Sequence, residues 1–142
     1  MSKAAVIYWS GTGNTEQMAN AVLAGLQAAG ADAALFSVNK ITADEAAAYD
    51  KLALGCPSMG AEVLEEDEFE PFFTELEKNI SGKKVALFGS YGWGDGEWMR
   101  NWNERCASSG ADLVTEGLIA NETPDDTVLA ACRDLGAKLA TA

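Results

Sequence analysis

The chain has 142 residues, enough for a single domain that buries its core without disulfides or a structural metal. It carries 22 acidic residues against 10 basic ones, has no histidine, and has a formal net charge of -12. This charge argues against nucleic acid or an anionic membrane as partner and favours a basic protein.

The three cysteines, Cys56, Cys106 and Cys132, are far apart and form no Cys-x-x-Cys pair, so the sequence offers no zinc, iron–sulfur or other metal site. Isolated buried thiols in a reducing cytoplasm are expected. The N-terminal Met1-Ser2-Lys3 leads into an apolar stretch too short for a signal peptide, and no segment is long enough to span a bilayer. We expect a soluble, cytoplasmic protein, and its heavy charge favours a monomer.

The first half of the chain alternates apolar runs with amphipathic ones. A strand over 4–9 leads into a helix near 13–29, which places Met18, Val22, Leu23 and Leu26 on one face. A second strand over 33–38 precedes a short helix with a capping box at Thr42-Ala43-Asp44-Glu45. The third strand covers 51–56.

The second half continues the alternation. A helix is predicted from about Pro71, with Phe72, Phe73 and Leu76 buried, followed by a strand over 84–90. The next helix spans 97–108, with Trp98 or Met99, Trp102 and Cys106 inward, and the fifth strand over 113–120 is interrupted at 115–117. The last helix is predicted to be capped at Thr123-Pro124-Asp125-Asp126 and to bury Val128, Leu129, Cys132, Leu135 and Leu139.

This alternation predicts one α/β domain over 1–142, a doubly wound five-stranded parallel sheet in the order 2-1-3-4-5 with helices on both faces. Ligands bind such sheets outside the carboxyl ends of the strands. The loops after strands 1, 3 and 4 meet at that edge, and they cover 10–15, 57–67 and 90–96.

The first loop, Ser10-Gly11-Thr12-Gly13-Asn14-Thr15, enters a helix N-terminus, where free N–H groups and the helix dipole attract an anion. It predicts a phosphate site without cations, although an ordinary capped turn is an alternative. The loop is neither a Walker loop nor a dinucleotide fingerprint, because no lysine follows and Glu16 stands where a third glycine would be.

The other two loops supply flat or soft apolar side chains. Trp93 stands between Gly92 and Gly94, which is a poor setting for a core tryptophan, and Met59 beside Gly60 offers a polarisable side chain. The three loops together predict a phosphate anchor and two walls of a slot for a planar ring.

These residues resemble the flavodoxins, specifically the short-chain clostridial type. The resemblance rests on Tyr8-Trp9-Ser10-Gly11-Thr12-Gly13-Asn14-Thr15, on Met59-Gly60, and on Ser90-Tyr91-Gly92-Trp93-Gly94-Asp95-Gly96, and it covers the full chain. It implies non-covalent FMN and a low-potential, one-electron carrier that shuttles between redox enzymes.

The resemblance also implies roles for individual residues. Ser10, Thr12, Asn14 and Thr15, the amides of the loop with Gly11 and Gly13, and Ser90 would hold the phosphate. Met59 and Trp93 would enclose the isoalloxazine. Their neighbours Ser58, Ala61 and Tyr91 would also belong to the cofactor-binding residues. Glu62 would accept from flavin N3–H, and the amides around Gly92 and Gly94 would meet the O2 side.

Gly60 would act as a redox switch, its carbonyl rotating to accept from N5–H when the neutral semiquinone forms. The rotated turn requires a positive φ at Ala61, which alanine tolerates less well than glycine. We therefore expect a smaller gap between the two one-electron potentials than in a glycine-bearing relative.

Six acids lie within nine residues: Glu62, Glu65, Glu66, Asp67, Glu68 and Glu70. They are either a solvated loop with an acid-rich helix start or an acidic rim that lowers the flavin potential and steers transient, basic redox partners.

The main rival is an FMN-dependent quinone or NAD(P)H oxidoreductase, which the lack of histidine and of a basic patch disfavours. A receiver-type signalling domain would need carboxylates where the chain has Trp9-Ser10.

Overall fold

A parallel β-sheet forms the centre of the computed structural model, which describes residues 3–142. Met1 and Ser2, part of the N-terminal stretch discussed above, lie outside the described residues. The strands run in the order β2-β1-β3-β4-β5, with β6 also paired with β4. Their bounds are β1 Lys3–Tyr8, β2 Asp32–Ser37, β3 Lys51–Gly55, β4 Lys84–Tyr91, β5 Asp112–Leu113 and β6 Leu118–Asn121.

The predicted strand order is confirmed, with one refinement at the edge. The fifth strand consists of two short segments, β5 and β6, and both pair in parallel with β4. The break falls on the Thr115-Glu116-Gly117 stretch that interrupts the apolar run. There the backbone NH of Gly117 donates to the Asn103 side chain at 3.1 Å instead of to β4.

Helices cover both faces of the sheet. Their bounds are α1 Asn14–Ala28, α2 Ala43–Ala47, α3 Phe69–Leu76, α4 Glu97–Ser108 and α5 Asp126–Ala140, with 3-10 turns at Val38–Lys40 and Glu77–Asn79. One core packs α1 and α5 against the sheet, and the other packs α2, α3 and α4 against the opposite face. Among residues 3–142, no helix has the length and apolar character to cross a membrane.

Helices α1 and α5 approach each other closely because each carries a glycine at the contact. A Cβ on Gly25 would lie 2.0 Å from the Arg133 carbonyl oxygen, and one on Gly136 would lie 2.1 Å from that of Val22. Both distances are far below van der Waals contact, so any larger residue would push the helices apart.

Two helix starts differ from the prediction. Helix α5 begins at Asp126 and not at Thr123, because the Asp125 side chain accepts from the Val128 N–H at 2.9 Å and acts as the N-cap. Helix α3 begins at Phe69 and not near Pro71, because a carboxylate from the preceding loop caps it, as described below. Phe69 is consequently buried in place of Phe72, which is half-buried.

Elsewhere the expected interior is present. The sequence predicted that either Trp98 or Met99 points inward from α4, and in the structure both are buried. The capping box of α2 is present, with the Glu45 N–H donating to the Thr42 hydroxyl at 3.1 Å and the Thr42 N–H donating to the Glu45 carboxylate at 2.9 Å. The last helix buries Cys132, Leu135 and Leu139, while Val128 and Leu129 are half-buried.

Candidate functional site

A cleft of about 370 Å³ opens at the carboxyl edge of the sheet, where the loops after β1, β3 and β4 meet. This volume is typical of small-molecule sites. Nine of the predicted site residues line the cleft: Gly11, Thr12, Asn14, Ser58, Met59, Ser90, Tyr91, Gly92 and Trp93. The other predicted residues neighbour this lining without forming it, namely Ser10, Gly13, Thr15, Gly60, Ala61, Glu62 and Gly94.

The first loop is organised by the Ser10 side chain. Its hydroxyl oxygen accepts from the Gly13 N–H at 3.1 Å and from the Glu16 N–H at 3.3 Å, which ties the loop to the start of α1. Gly13, the residue before the helix, has φ +95°, a left-handed conformation that favours glycine. The Ser10 hydroxyl is therefore used within the loop. It fixes the shape of the loop, although Ser10 does not line the cleft.

Other backbone donors of the loop are free. Within residues 3–142, the N–H groups of Gly11, Thr12, Asn14 and Thr15 have no acceptor. They cluster at the positive end of α1, and no Lys or Arg lies between Lys3 and Lys40. The loop thus offers unpaired N–H groups and a helix dipole to an anion, without a cation.

Thr15 joins the first loop to the third. Its side-chain oxygen lies 3.1 Å from that of Ser90, and the Ser90 N–H donates to it at 3.4 Å. Both residues are almost fully buried, and Ser90 lines the cleft. Each hydroxyl retains capacity for a further hydrogen bond.

The second loop contains a tight turn from Met59 to Val63. Two backbone hydrogen bonds close its base, from the Met59 N–H to the Val63 carbonyl at 2.8 Å and from the Val63 N–H to the Met59 carbonyl at 2.9 Å. Within the turn Gly60 has φ +52° and Glu62 has φ +55°, whereas Ala61 is not among the residues with positive φ.

Two hydrogen bonds connect this turn to the third loop. The Trp93 indole N–H donates to the Gly60 carbonyl at 3.1 Å, and the Glu97 N–H donates to the Glu62 carboxylate at 3.0 Å. Glu62 thereby caps α4, whose own N-cap residue is Gly96. Gly94 allows the approach, since a Cβ there would lie 2.4 Å from the Glu62 carboxyl carbon.

Three lining residues were missed by the sequence analysis: Trp9, Pro57 and Glu122. Trp9 directly precedes the first loop, and its indole N–H donates to the Glu68 carboxylate at 3.1 Å. Glu122 follows β6, whose pairing with β4 brings a fourth loop to the same edge; its N–H donates to the Tyr91 carbonyl at 2.7 Å. For Trp9 the available signal was its position directly before the first loop, for Pro57 its place as the first residue of the predicted second loop, and for Glu122 the position of the fifth strand.

The lining fits FMN, with its anionic end and flat, largely apolar ring. Trp9, Met59 and Trp93 supply apolar surface, and the lining also includes Gly11, Thr12 and Asn14, whose backbone N–H groups have no acceptor within residues 3–142. The Ser58 hydroxyl also lines the cleft, is buried, and has no hydrogen-bond partner within residues 3–142. A buried hydroxyl without a partner is uncommon in a folded protein, and a polar group of a bound molecule would satisfy it.

The acid-rich stretch divides into structural and exposed members. The buried Glu65 carboxylate accepts from the N–H groups of Asp67, Glu68 and Phe69 at 2.8 to 2.9 Å and so caps α3. Glu70 pairs with Arg105 at 2.7 Å. Glu66 and Asp67 are exposed and their side chains make no hydrogen bond within residues 3–142. The stretch therefore combines acids that cap or pair within the fold with acids that are solvated, and the acidic rim stays a prediction.

Burial sets the ionisation of several groups. It raises the pKa of Cys56, Cys106 and Cys132, in the last two to about 12, so these free thiols stay protonated and unreactive. Burial also raises the pKa of Tyr8, helped by its hydrogen bond to the Glu16 carboxylate at 3.0 Å and by that charge. The buried, isolated thiols agree with the sequence prediction.

Comparison with known proteins extends along nearly the whole chain. The flavodoxin family model matches residues 6–136. The chain is 47% identical over 137 residues to the flavodoxin of Megasphaera elsdenii, covering 96% of this chain and 98% of that one. It is 50% identical over 135 residues to the flavodoxin of Clostridium beijerinckii, covering 95% and 97% of the two chains.

Solved structures agree with these sequences. Two-electron reduced flavodoxin from Megasphaera elsdenii superimposes with a TM-score of 0.88 at 47% identity, covering 98% of this chain and 99% of that one. A flavodoxin from the domain Archaea superimposes with a TM-score of 0.88 at 28% identity, covering 98% and 96%. The fold, the cleft and these similarities together show that the chain belongs to the flavodoxin family, whose members are FMN-binding electron-transfer proteins and not enzymes.

Proposed function

We propose that the chain, as one domain, holds FMN in the cleft formed by its three loops and carries single electrons between redox proteins with basic surfaces. The observation that carries this proposal is the juxtaposition of unpaired first-loop N–H groups with the apolar walls Met59 and Trp93 in one cleft. When bound, FMN supplies the ability to accept and release electrons one at a time.

The first loop binds the phosphate. The N–H groups of Gly11, Thr12, Asn14 and Thr15 are available because Ser10 already satisfies those of Gly13 and Glu16. The hydroxyls of Thr12, Thr15 and Ser90 and the Asn14 amide supply further donors. Neutral donors and the α1 dipole would hold the phosphate without a cation, so its charge would stay uncompensated and would disfavour a further negative charge on the cofactor.

Met59 and Trp93 would exclude water from the faces of the flavin ring, and residues of the second loop would hydrogen-bond to its edge. Glu62 has one carboxylate oxygen on the Glu97 N–H, which leaves the other for flavin N3–H. The Gly60 carbonyl, which accepts from the Trp93 indole N–H at 3.1 Å, would be the acceptor for flavin N5. Ser58 supplies a buried hydroxyl that needs a partner.

The acidic side of the cleft is the docking surface for partners. Trp93 is 53% exposed and Val63 is 38% exposed, and the exposed acids Glu66 and Asp67 lie on the same loop as Val63. An apolar spot with an acidic rim favours a transient complex with a basic surface, because charges steer the encounter without a large buried area. Electron transfer to a basic partner should slow as ionic strength rises, and a flat salt dependence would count against this surface.

Anaerobic titration with dithionite, followed in the visible spectrum, tests the carrier. Two separate one-electron steps support the proposal, and a single two-electron step contradicts it. Adding NADPH alone distinguishes the oxidoreductase alternative: a carrier stays oxidised until a reductase is supplied, whereas an oxidoreductase is reduced directly.

A further inference from the structure

The side chain of Trp93 makes one directional contact, to the loop on the other side of the cleft. Its indole N–H donates to the Gly60 carbonyl at 3.1 Å. The side chain is 53% exposed, so packing does not by itself fix the ring. The hydrogen bond therefore determines both where the ring lies and where that carbonyl is directed.

The Gly60 carbonyl lies in a turn that is held on either side of it. The Met59–Val63 backbone pair closes the base, and the Glu62 carboxylate is anchored at the Glu97 N–H. Between these anchors, Trp93 is the donor that the Gly60 carbonyl has within residues 3–142. No wall blocks the backbone there, since a Cβ on Gly60 would meet only Val63 Cγ2, at 3.9 Å.

We propose that Trp93 is a positioning residue as well as a wall of the cleft: its indole N–H holds the Gly60 carbonyl toward the third loop and competes with the flavin edge for that carbonyl. The inference rests on the proposed function, because a flavin between Met59 and Trp93 is what brings a second donor, the N5–H of the reduced cofactor, to the same oxygen. The carbonyl cannot be directed at the third loop and at the flavin edge at once, so the two positions of the peptide exclude each other.

The expected size of the effect follows from the exposure of the bond. A neutral hydrogen bond at a partly hydrated site contributes little net free energy, which corresponds to a change of roughly twofold to tenfold in an equilibrium constant. The substitution Trp93→Phe keeps an aromatic ring against the cleft and removes only the donor. It should favour the flavin-facing carbonyl by that factor.

The first test uses the FMN-free protein labelled with nitrogen-15. The Trp93 indole N–H resonance, assigned by its loss in Trp93→Phe, should exchange with solvent roughly twofold to tenfold more slowly than the indole of an unstructured peptide. The Ala61 amide belongs to the same peptide group as the Gly60 carbonyl, so its chemical shift should change in Trp93→Phe. The matched control is Trp9→Phe. It removes the indole N–H that donates to Glu68 at the same cleft, and it should leave the chemical shift of the Ala61 amide unchanged.

The second test uses the FMN-bound protein. In Trp93→Phe the first one-electron potential should rise by roughly 18 to 59 mV, the twofold to tenfold change converted at 59 mV per tenfold for one electron. An unprotected Trp93 indole together with an unmoved Ala61 amide would overturn the inference, even if FMN binds. Failure of the wild-type chain to bind FMN would instead refute the proposed function, and the measurements on FMN-free protein would still decide whether Trp93 holds Gly60.

Discussion

Glu65 is the acid whose loss should be felt most, although it lies among several others in the sequence. Its side chain is buried at 6% exposure and accepts three backbone N–H groups, from Asp67 at 2.9 Å, Glu68 at 2.8 Å and Phe69 at 2.9 Å. Its own N–H donates to Cys56 Sγ at 3.3 Å. Glu65 thus ends the second loop and begins α3 with one residue.

The substitution Glu65→Gln isolates the carboxylate with little change of shape. The remaining carbonyl oxygen can still accept from Glu68 and Phe69, but the amide NH2 faces the Asp67 N–H, donor against donor. Loss of one charge-assisted bond costs about 1.5 to 3 kcal/mol, and loss of the negative charge at a helix N-terminus adds about 0.3 to 1 kcal/mol. The free energy of unfolding should therefore fall by about 2 to 4 kcal/mol.

Urea unfolding of the FMN-free protein, followed by circular dichroism, measures this difference. The matched control is Glu66→Gln, which removes the same charge from an exposed neighbour and should change the free energy of unfolding by less than about 0.5 kcal/mol. If both variants unfold at the same urea concentration as the wild type, the capping role assigned to Glu65 is wrong.

Three further substitutions test other parts of the molecule. Gly25→Ala should destabilise the protein by about 1 to 3 kcal/mol, because the clash with the Arg133 carbonyl outweighs the gain in helix propensity; an unchanged melting temperature would contradict this. Burial raises the pKa of Glu70, but hydrogen bonds from Arg105 and Thr74 and the Arg105 charge outweigh it, so the pKa is lowered on folding. Glu70→Gln should therefore unfold more easily at pH 7. Its difference from wild type should begin to shrink as the pH falls below the ordinary value of 4.5 and vanish only below the lowered pKa of the folded protein; a difference independent of pH would refute the assignment. Ala61→Gly should widen the gap between the two one-electron potentials, measured by spectroelectrochemistry, since glycine accepts the positive φ of the rotated turn; an unchanged gap would refute the role of Ala61.

The fold could be predicted because its signals are local. Continuous apolar runs mark strands that are covered on both faces, and their alternation with amphipathic helices leaves few topologies. The helix over residues 97–108 was predicted with the bounds it has. By contrast, Asp125 and not Thr123 caps α5, because several residues that can cap a helix stand side by side and only the path of the chain selects one.

The cleft was predicted in outline because glycine and hydroxyl residues collect at strand ends, where parallel sheets bind ligands. The bridges between its loops could not be predicted. A sequence shows that Glu62 and Glu65 are acidic, but not that their carboxylates cap α4 and α3, since those contacts depend on tertiary placement. Glu122 was missed for the same reason: its loop reaches the cleft only through the pairing of β6 with β4.

The central claim is that the first loop holds the FMN phosphate while the second and third loops hold the ring. Amide chemical shifts of the nitrogen-15-labelled, FMN-free protein, recorded with FMN and separately with riboflavin, test it most directly because riboflavin lacks the phosphate. FMN, but not riboflavin, should strongly change the chemical shifts of the first-loop amides of Gly11, Thr12, Asn14 and Thr15. Both ligands should change the chemical shifts of the amides around Gly60 and Gly92. First-loop amides that respond equally to riboflavin, or to neither ligand, would contradict the assignment of the phosphate to this loop.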